Sequence, residues 1–373
     1  MKLLPKNILR TWIEVDKKAI YNNIAEFRKL IKPRVKLMAV IKSNAYGHGL
    51  ADFAKITENR VDWFGVDSIT EGLKLREIGL KKPILTLGYT LPSRLKEAAD
   101  SGISLTVSSF EVLNEIGQLK IKPKIHLKID TGMCRQGFFL KDLPQVIKLL
   151  KHFKLSPEGL YTHLAAAKDR LYPFYSFKQI EIFKKADELF RRAGYNDYMR
   201  HAAASAGAIL YPEAHFDMVR IGIGLYGMFG AKETGIQSEI KLKPALAWKS
   251  IISEIKSAPK DAYIGYDLTE KVLKSSRLAI APIGYWHGFD RGLSSIGEVL
   301  VKNKRCKILG RVSMDMIIID ISKVPGVKIG DEITILGNSK KEKITAEDIA
   351  QKIGTTNYEV VTRINPLIKR FYI

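Results

Sequence analysis

Between residues 35 and 225, short runs of β-branched and apolar residues alternate with longer segments whose apolar positions recur at steps of three and four. The runs span 35–41, 63–67, 84–88, 103–107, 125–130, 159–163, 199–203 and 218–225. Runs this short and this apolar read as strands buried on both faces. Between them, 51–59, 70–78, 93–99, 110–118, 143–152 and 174–192 carry the helical period, and a further helix at 17–30 precedes the first run. Segment 174–192 sets Phe174, Phe177, Ile180, Ile182, Phe183, Ala186, Leu189 and Phe190 on one face. Eight strands alternating with helices predict a (β/α)8 TIM-type barrel.

After Tyr226 the pattern changes. Strand-like runs at 247–255, 277–282, 298–301, 307–311, 316–320 and 332–336 are separated by Gly, Pro and Asn turns, and only 346–352 keeps a helical period. This half predicts an all-β domain. The expected fold is therefore α/β plus all-β: a barrel over 1–240 and a C-terminal β domain over 241–373, with the break beside Pro244. Residues 1 to about 10 are expected to pack with the β domain.

Composition narrows the function classes. With 46% apolar and 27% charged residues in 373, disordered and fibrous classes are excluded and two domains fit the length. The net charge of +22 raises nucleic-acid binding as a possibility, because clustered cations release phosphate counterions. The lysines are dispersed instead, as at Lys178, Lys184 and Lys185, with no arginine-rich run, zinc-finger spacing or aromatic RNP motif. They read as solvated faces, so no specific nucleic-acid partner is expected. No apolar run approaches the ~20 residues of a bilayer span. Pro5, Lys6 and Asn7 interrupt the N-terminal apolar residues before a signal core forms, so a cytoplasmic protein is expected. Two cysteines, Cys134 and Cys306, are too few for a disulfide framework or a four-cysteine zinc site, and no metal is expected.

In such barrels function collects where strands end, and phosphate often binds after strands seven and eight. Those ends deliver Lys42, Lys128, Arg135, His163, His201 and Ser205 to one mouth. Each alone is an ordinary surface or core side chain; together they form a candidate site. A lysine there can lose its charge by desolvation and become a Schiff-base former. Residues 222–227 match G-x-G-x-x-G, but they close the alternating half and no acidic residue follows at ~20 positions to hold a ribose. The glycines fit a single phosphate better, with Ser205 beside them. A lysine and a phosphate cup describe a pyridoxal 5'-phosphate pocket.

The chain resembles the alanine racemase family, a group of type III pyridoxal-phosphate enzymes, along nearly its whole length. The carriers are AVIKSNAYGHG at 39–49, KIDTGMCRQGF at 128–138, YTHLA at 161–165, VRIGIGLYG at 219–227, PIGYWHGFDR at 282–291 and GRVSMDM at 310–316. The resemblance implies that Lys42 binds the cofactor covalently and acts as one base. Tyr46, Ser205, Gly222, Ile223 and Tyr358 would hold the phosphate, and Arg220 the pyridine nitrogen. His201 would orient Arg220, and His163 would support the second base, Tyr266 of the partner subunit, with His163 and Arg220 as the cations that favour its phenolate. Arg135 and Met314 would bind the substrate carboxylate, with Lys128, carbamylated in relatives, steadying Arg135. Tyr285 and Arg291 would stand at the gate. A homodimer with shared sites, two-base exchange between L- and D-alanine, and D-alanine supply for peptidoglycan are implied with these roles. Where the family usually has Ala-Asp, this chain has Trp286 and His287; Ala204 replaces a usual asparagine and Lys168 a frequent acid. Serine or a larger amino acid is therefore the runner-up substrate, and a decarboxylase on the same fold the rival reaction.

Overall fold

The computed structural model describes residues 8–168, 171 and 173–373. The chain divides into two compact units. One comprises Lys18–Ala45 and Leu50–Lys243; the other comprises the segment ending at Lys17, Tyr46–Gly49 and Pro244–Ile373. The first strand, β1 (Thr11–Val15), belongs to the second unit, while residues 1–7, which carry most of the expectation for the N-terminus, lie outside the described residues.

The barrel unit contains α1 (Lys17–Leu30) and eight parallel strands: β2 (Lys36–Val40), β3 (Trp63–Val66), β4 (Ile84–Thr86), β5 (Ser104–Val107), β6 (Ile125–Lys128), β7 (Gly159–Tyr161), β8 (Met199–His201) and β9 (Met218–Ile221). Their order is β9-β2-β3-β4-β5-β6-β7-β8. The ring closes between β8 and β9, where Ala204 is bridged to Arg220 and the Arg220 N–H donates to Ala203 O at 3.0 Å. The TIM-type barrel expected from the alternation is thus present. The strands are buried nearly throughout, so their sequences show apolar runs rather than alternation.

Between the strands run α2 (Leu50–Thr57), α3 (Ile69–Glu77), α4 (Leu95–Asp100), α5 (Phe110–Gln118), α6 (Leu143–His152), α7 (Phe174–Arg192) and α8 (Ser205–Leu210). Ser68 and Ser109 cap α3 and α5 by accepting from the N–H groups of Glu71 and Val112. The core face of α7 buries Ile180, Phe183, Ala186 and Phe190, but Phe174 and Phe177 in its first turn are exposed, contrary to the periodicity. The eighth strand ends at Ile221, four residues before the expected end. Gly222 leaves extended backbone, and residues 223–226 form a buried 3-10 turn whose apolarity imitates a strand.

The C-terminal unit is a mainly antiparallel sheet. After β1 come β10 (Leu246–Ile251), β11 (Glu254–Ala258), β12 (Tyr263–Ile264), β13 (Glu270–Lys271), β14 (Ser276–Ala281), β15 (Glu298–Val301), β16 (Lys304–Leu309), β17 (Ile317–Asp320), β18 (Glu332–Ser339), β19 (Glu342–Ile344) and β20 (Arg370–Tyr372). The main order is β11-β14-β17-β16-β15-β18-β10-β1-β20, β19 pairs with β18, and β12 and β13 form a separate hairpin. The single strand expected at 247–255 is two, because at Ile252 and Ser253 the chain passes from β18 as neighbour to β14. Two helices, α9 (Ala346–Ile353) and α10 (Asn357–Thr362), complete the unit; α10, which carries Tyr358, has no counterpart among the expected elements. Among the described residues no helix is long and apolar enough to cross a membrane.

Candidate active site

Lys42 follows β2 at the C-terminal end of the barrel. Its Nζ lies 3.2 Å from Asp67 Oδ1, at the end of β3. Behind it the chain makes a left-handed turn with φ of 54, 56, 52 and 51° at Ser43, Asn44, Ala45 and Tyr46. Each such residue costs about 1–2 kcal/mol without a glycine's freedom, so the turn must be held from outside. The Glu71 carboxylate does this by accepting from the N–H groups of Ser43 (2.7 Å) and Asp67 (2.8 Å), and Asn44 Oδ1 accepts from Leu50 N–H at 2.9 Å.

Arg220, on β9, is buried in the barrel interior. Its Nη1 is 2.8 Å from His201 Nδ1, and Nη2 donates to Thr162 O (2.7 Å) and Ala202 O (2.9 Å) with His163 Nδ1 at 3.3 Å. All these bonds use the terminal nitrogens, which leaves Nε as the donor for a ligand. Burial lowers the guanidinium to about 10, so it remains a cation at neutral pH. His163 is pushed down to about 3 by burial and by Arg220, Arg135, Lys128 and Lys42. It is therefore neutral, not the cation the sequence suggested beside a phenolate; the cations of this mouth are Lys42, Lys128, Arg135 and Arg220.

Lys128 ends β6, nearly buried, with Nζ donating to Gln136 Oε1 at 3.0 Å and lying 5.5 Å from the Tyr161 ring. Burial, then Arg135 and Arg220, lower it to about 8. Arg135 stands exposed on a loop organised by Asp130, whose carboxylate accepts four N–H groups, from Gly132, Met133, Cys134 and Arg135, at 2.8–3.1 Å. Gly137 closes this loop at φ +131°, where a Cβ would lie 2.6 Å from Asp130 N. Gln179 ties the loop to the next strand end, its Nε2 donating to Thr131 Oγ1 and His163 O and its Oε1 accepting from Ala165 N–H. Ser205 Oγ accepts from Gly222 N–H (3.1 Å) and Gly224 N–H (3.2 Å), which leaves the hydroxyl proton to donate to an anion.

The other expected residues belong to the C-terminal unit. Tyr46 packs against Tyr358, ring centroids 6.1 Å apart, and burial raises the Tyr358 phenol to about 12. Beyond Tyr46, Gly47 O accepts from Arg370 Nε at 3.1 Å and His48 O from Tyr372 Oη at 3.0 Å. Tyr266 is 66% exposed, on a turn after β12 in which Gly265 (φ +75°) and Asp267 (φ 61°) are left-handed. Nearby loops expose Tyr285, Trp286 and Met314, linked by Tyr285 N–H to Ser313 O (3.1 Å) and Trp286 N–H to Met314 O (3.0 Å). Arg291 is exposed and opens a 3-10 turn capped by Asp290. His287 turns inward, its Nδ1 accepting from Gly284 N–H at 3.2 Å, and burial keeps its pKa below the usual imidazole range. Of the two gate departures, only Trp286 faces outward. Among the described residues no cluster of three or more His, Cys, Asp or Glu side chains is placed to hold a metal ion.

The chain thus combines a closed parallel barrel, with a lysine in a cationic mouth, and an antiparallel β unit, an architecture open to more than one reaction on amino acids; the relatives narrow it to the racemase class. Residues 15–229 match the description of the alanine racemase N-terminal domain, and residues 245–372 that of the C-terminal domain. An alanine racemase of Leptospira interrogans is 40% identical over 377 residues, covering 99% of this chain and 97% of the relative. One from Methanococcus maripaludis is 38% identical, covering 97% and 98%. The crystal structure of alanine racemase from Bacillus anthracis with bound L-Ala-P matches with a TM-score of 0.92 at 35% identity, covering 98% and 95%. That from Clostridium difficile 630 matches with a TM-score of 0.92 at 33% identity, covering 98% and 96%. The chain belongs to the alanine racemase family and is an isomerase of that family.

Proposed function

We propose that this chain interconverts L- and D-alanine with pyridoxal 5'-phosphate held covalently by Lys42. The observation that carries the reading is the cationic mouth, in which Lys42, Lys128, Arg135 and the buried Arg220 face one another around a neutral His163. Such a site fits an anionic cofactor together with a substrate carboxylate. The donor set fits the cofactor as well: Nε of Arg220 is left for the pyridine nitrogen, and the Ser205 hydroxyl proton, left over once Oγ has accepted from Gly222 and Gly224, suits a phosphate together with the intervening Ile223 N–H. Tyr46, Tyr358, Gly222 and Ile223 complete the assigned phosphate contacts. When bound, the cofactor supplies an electron sink for charge developing at the substrate α-carbon.

The protein's own groups do the rest. Lys42 Nζ moves the α-proton on one face, and Tyr266 Oη of the partner subunit moves it on the other; two bases on opposite faces give racemisation. Arg135 and the Met314 N–H hold the carboxylate, the carbonyl of Met314 being taken by Trp286. Lys128, lowered toward neutrality, is chemically ready to take up CO2, and the resulting carbamate would steady Arg135. Arg220 carries a proton it does not release near neutral pH, so it donates to the ring nitrogen without protonating it, which restrains side reactions. His201 orients Arg220, His163 supports the Tyr266 side, and Tyr285 and Arg291 form the gate. The exposed Tyr263, Tyr266, Tyr285, Trp286 and Met314 supply an apolar face suited to a second copy of the chain. We place the reaction in the cytoplasm, providing D-alanine for peptidoglycan. Borohydride treatment of the holoenzyme, followed by peptide mapping, tests the assignment: the cofactor should be fixed on Lys42 and lost in Lys42→Ala, and a retained adduct in that variant would overturn it.

A further inference from the structure

Arg220 heads a line of polar side chains that leaves the barrel mouth for the opposite end of the strands. Its Nη1 is 2.8 Å from His201 Nδ1, His201 Nε2 is 2.9 Å from His126 Nδ1, and His126 Nε2 is 3.4 Å from Glu158 Oε2. Glu158 immediately precedes β7. Its carboxylate also takes Ser104 Oγ, at the start of β5, at 2.5 Å and Lys124 Nζ, just before β6, at 2.8 Å. The line therefore runs from the end that carries the candidate site to the end that carries none.

Its polarity is fixed at the head. A guanidinium donates and never accepts. His201 Nδ1 must accept, so His201 is neutral with its proton on Nε2. That proton goes to His126 Nδ1, which must accept in turn, and the proton of His126 is left on Nε2, facing Glu158. Electrostatics agree with this assignment. Burial, followed by the Arg220 charge, holds His201 well below the imidazole range, and burial likewise lowers His126. Burial would raise the Glu158 carboxyl, but the facing His126 ring and bonds from Lys124 and Ser104 outweigh it and hold it at about 2; the His126 Nε2 contact is an approach at ion-pair distance, outside hydrogen-bond geometry. Two contacts fix the ring planes: Tyr161 stacks on His201 at 4.7 Å and 4°, and Trp63 meets His126 edge-on at 5.3 Å.

We infer that His126 and Glu158 are positioning residues for the reaction: they lock His201 in the tautomer that presents a lone pair to Arg220, and so hold the guanidinium in register with the cofactor ring. The inference rests on the reading of Arg220 as the partner of the pyridine nitrogen. Without the acceptor at His126, the buried Nε2–H of His201 loses its partner, the other tautomer becomes competitive, and that tautomer turns an N–H toward a cation.

The test has two independent arms. In the first, holoenzyme labelled with 15N-histidine is followed by long-range 1H–15N correlation, with His126→Asn and His201→Asn used for assignment. Both rings should be neutral, protonated on Nε2 and constant from about pH 6 to 9. Either ring charged, or protonated on Nδ1, overturns the inference whatever the cofactor does. In the second arm, His126→Leu removes the acceptor and His126→Asn restores an oxygen near the Nδ1 position. Leucine should lower kcat roughly 10- to 100-fold, as loss of an orienting partner does, with little change in KM and a displaced visible absorbance of bound cofactor. Asparagine should recover most of both. A leucine variant with wild-type absorbance and kcat but a lower Tm would show a merely structural network and refute the proposal. If leucine prevents folding, the tautomer arm decides. A holoenzyme with no absorbing cofactor would instead refute the reading of the site while leaving the tautomer result intact.

Discussion

Gly47 gives a test in which two costs separate cleanly. It sits at φ +84°, and a Cβ there would lie 2.0 Å from Val361 O and 3.0 Å from its carbonyl carbon. Gly330 in the same unit has nearly the same conformation, φ +87°, but nothing within 4 Å of its Cβ position. Substituting alanine at Gly330 therefore carries the conformational cost alone, about 1 kcal/mol. At Gly47 the same cost applies, and two backbone segments must also part by more than an ångström. Overpacking of this kind adds about 1–3 kcal/mol, so Gly47→Ala should cost about 2–4 kcal/mol. Urea denaturation of both variants, read at equal m, measures the difference. Gly47 also follows the left-handed turn that begins beside Lys42, so Gly47→Ala should weaken cofactor retention and Gly330→Ala should not. Equal destabilisation by the two substitutions would refute the reasoning.

Lys128 should make stability depend on pH in a definite direction. Its folded value of about 8 lies below the unfolded value of 10.5, so below about pH 8 the amine is charged in both states and the burial penalty is fully present. Above that, the folded protein sheds a proton the unfolded chain keeps, and stability should rise between about pH 8 and 10 relative to Lys128→Met; parallel curves for the two proteins would contradict this. The same neutral amine should give a 13C-bicarbonate-dependent carbamate resonance that grows through this range and is absent in Lys128→Met. Tyr266→Phe should depress α-proton exchange from one alanine enantiomer at least tenfold more than from the other; equal loss from both would remove it as a face-specific base.

The sequence was most legible where a single element carries its own signal. Segments 17–30, 110–118, 143–152 and 174–192 are helices over the residues their periodicity marks, because an amphipathic face is written every three or four positions. The eighth strand was over-read because residues 223–226 are buried in a turn, and burial selects the same residue types in either conformation. The partners of β1 were not legible: Thr11 pairs with Ser250 and Ile13 with Arg370, and no local pattern encodes pairing across such separations. The strand-end rule marked Lys42, Lys128, His163 and His201, while Arg220 entered only through the family resemblance; the rule passed over Glu71, Asp130 and Gln179, which act by holding backbone. His126 was open to discovery. It stands two residues before Lys128 on the same face of β6, and a second polar residue on the inward face of a buried strand calls for a partner.

The most direct test of the function is isotopic. Purified holoenzyme incubated with L-alanine in heavy water should yield D-alanine carrying one α-deuterium, resolved by chiral chromatography and read by mass, with label also appearing in recovered L-alanine. Lys42→Ala should give neither. Undeuterated D-alanine would contradict exchange of the α-proton with a solvent-linked base, and no D-alanine from fully loaded protein would contradict alanine racemisation itself.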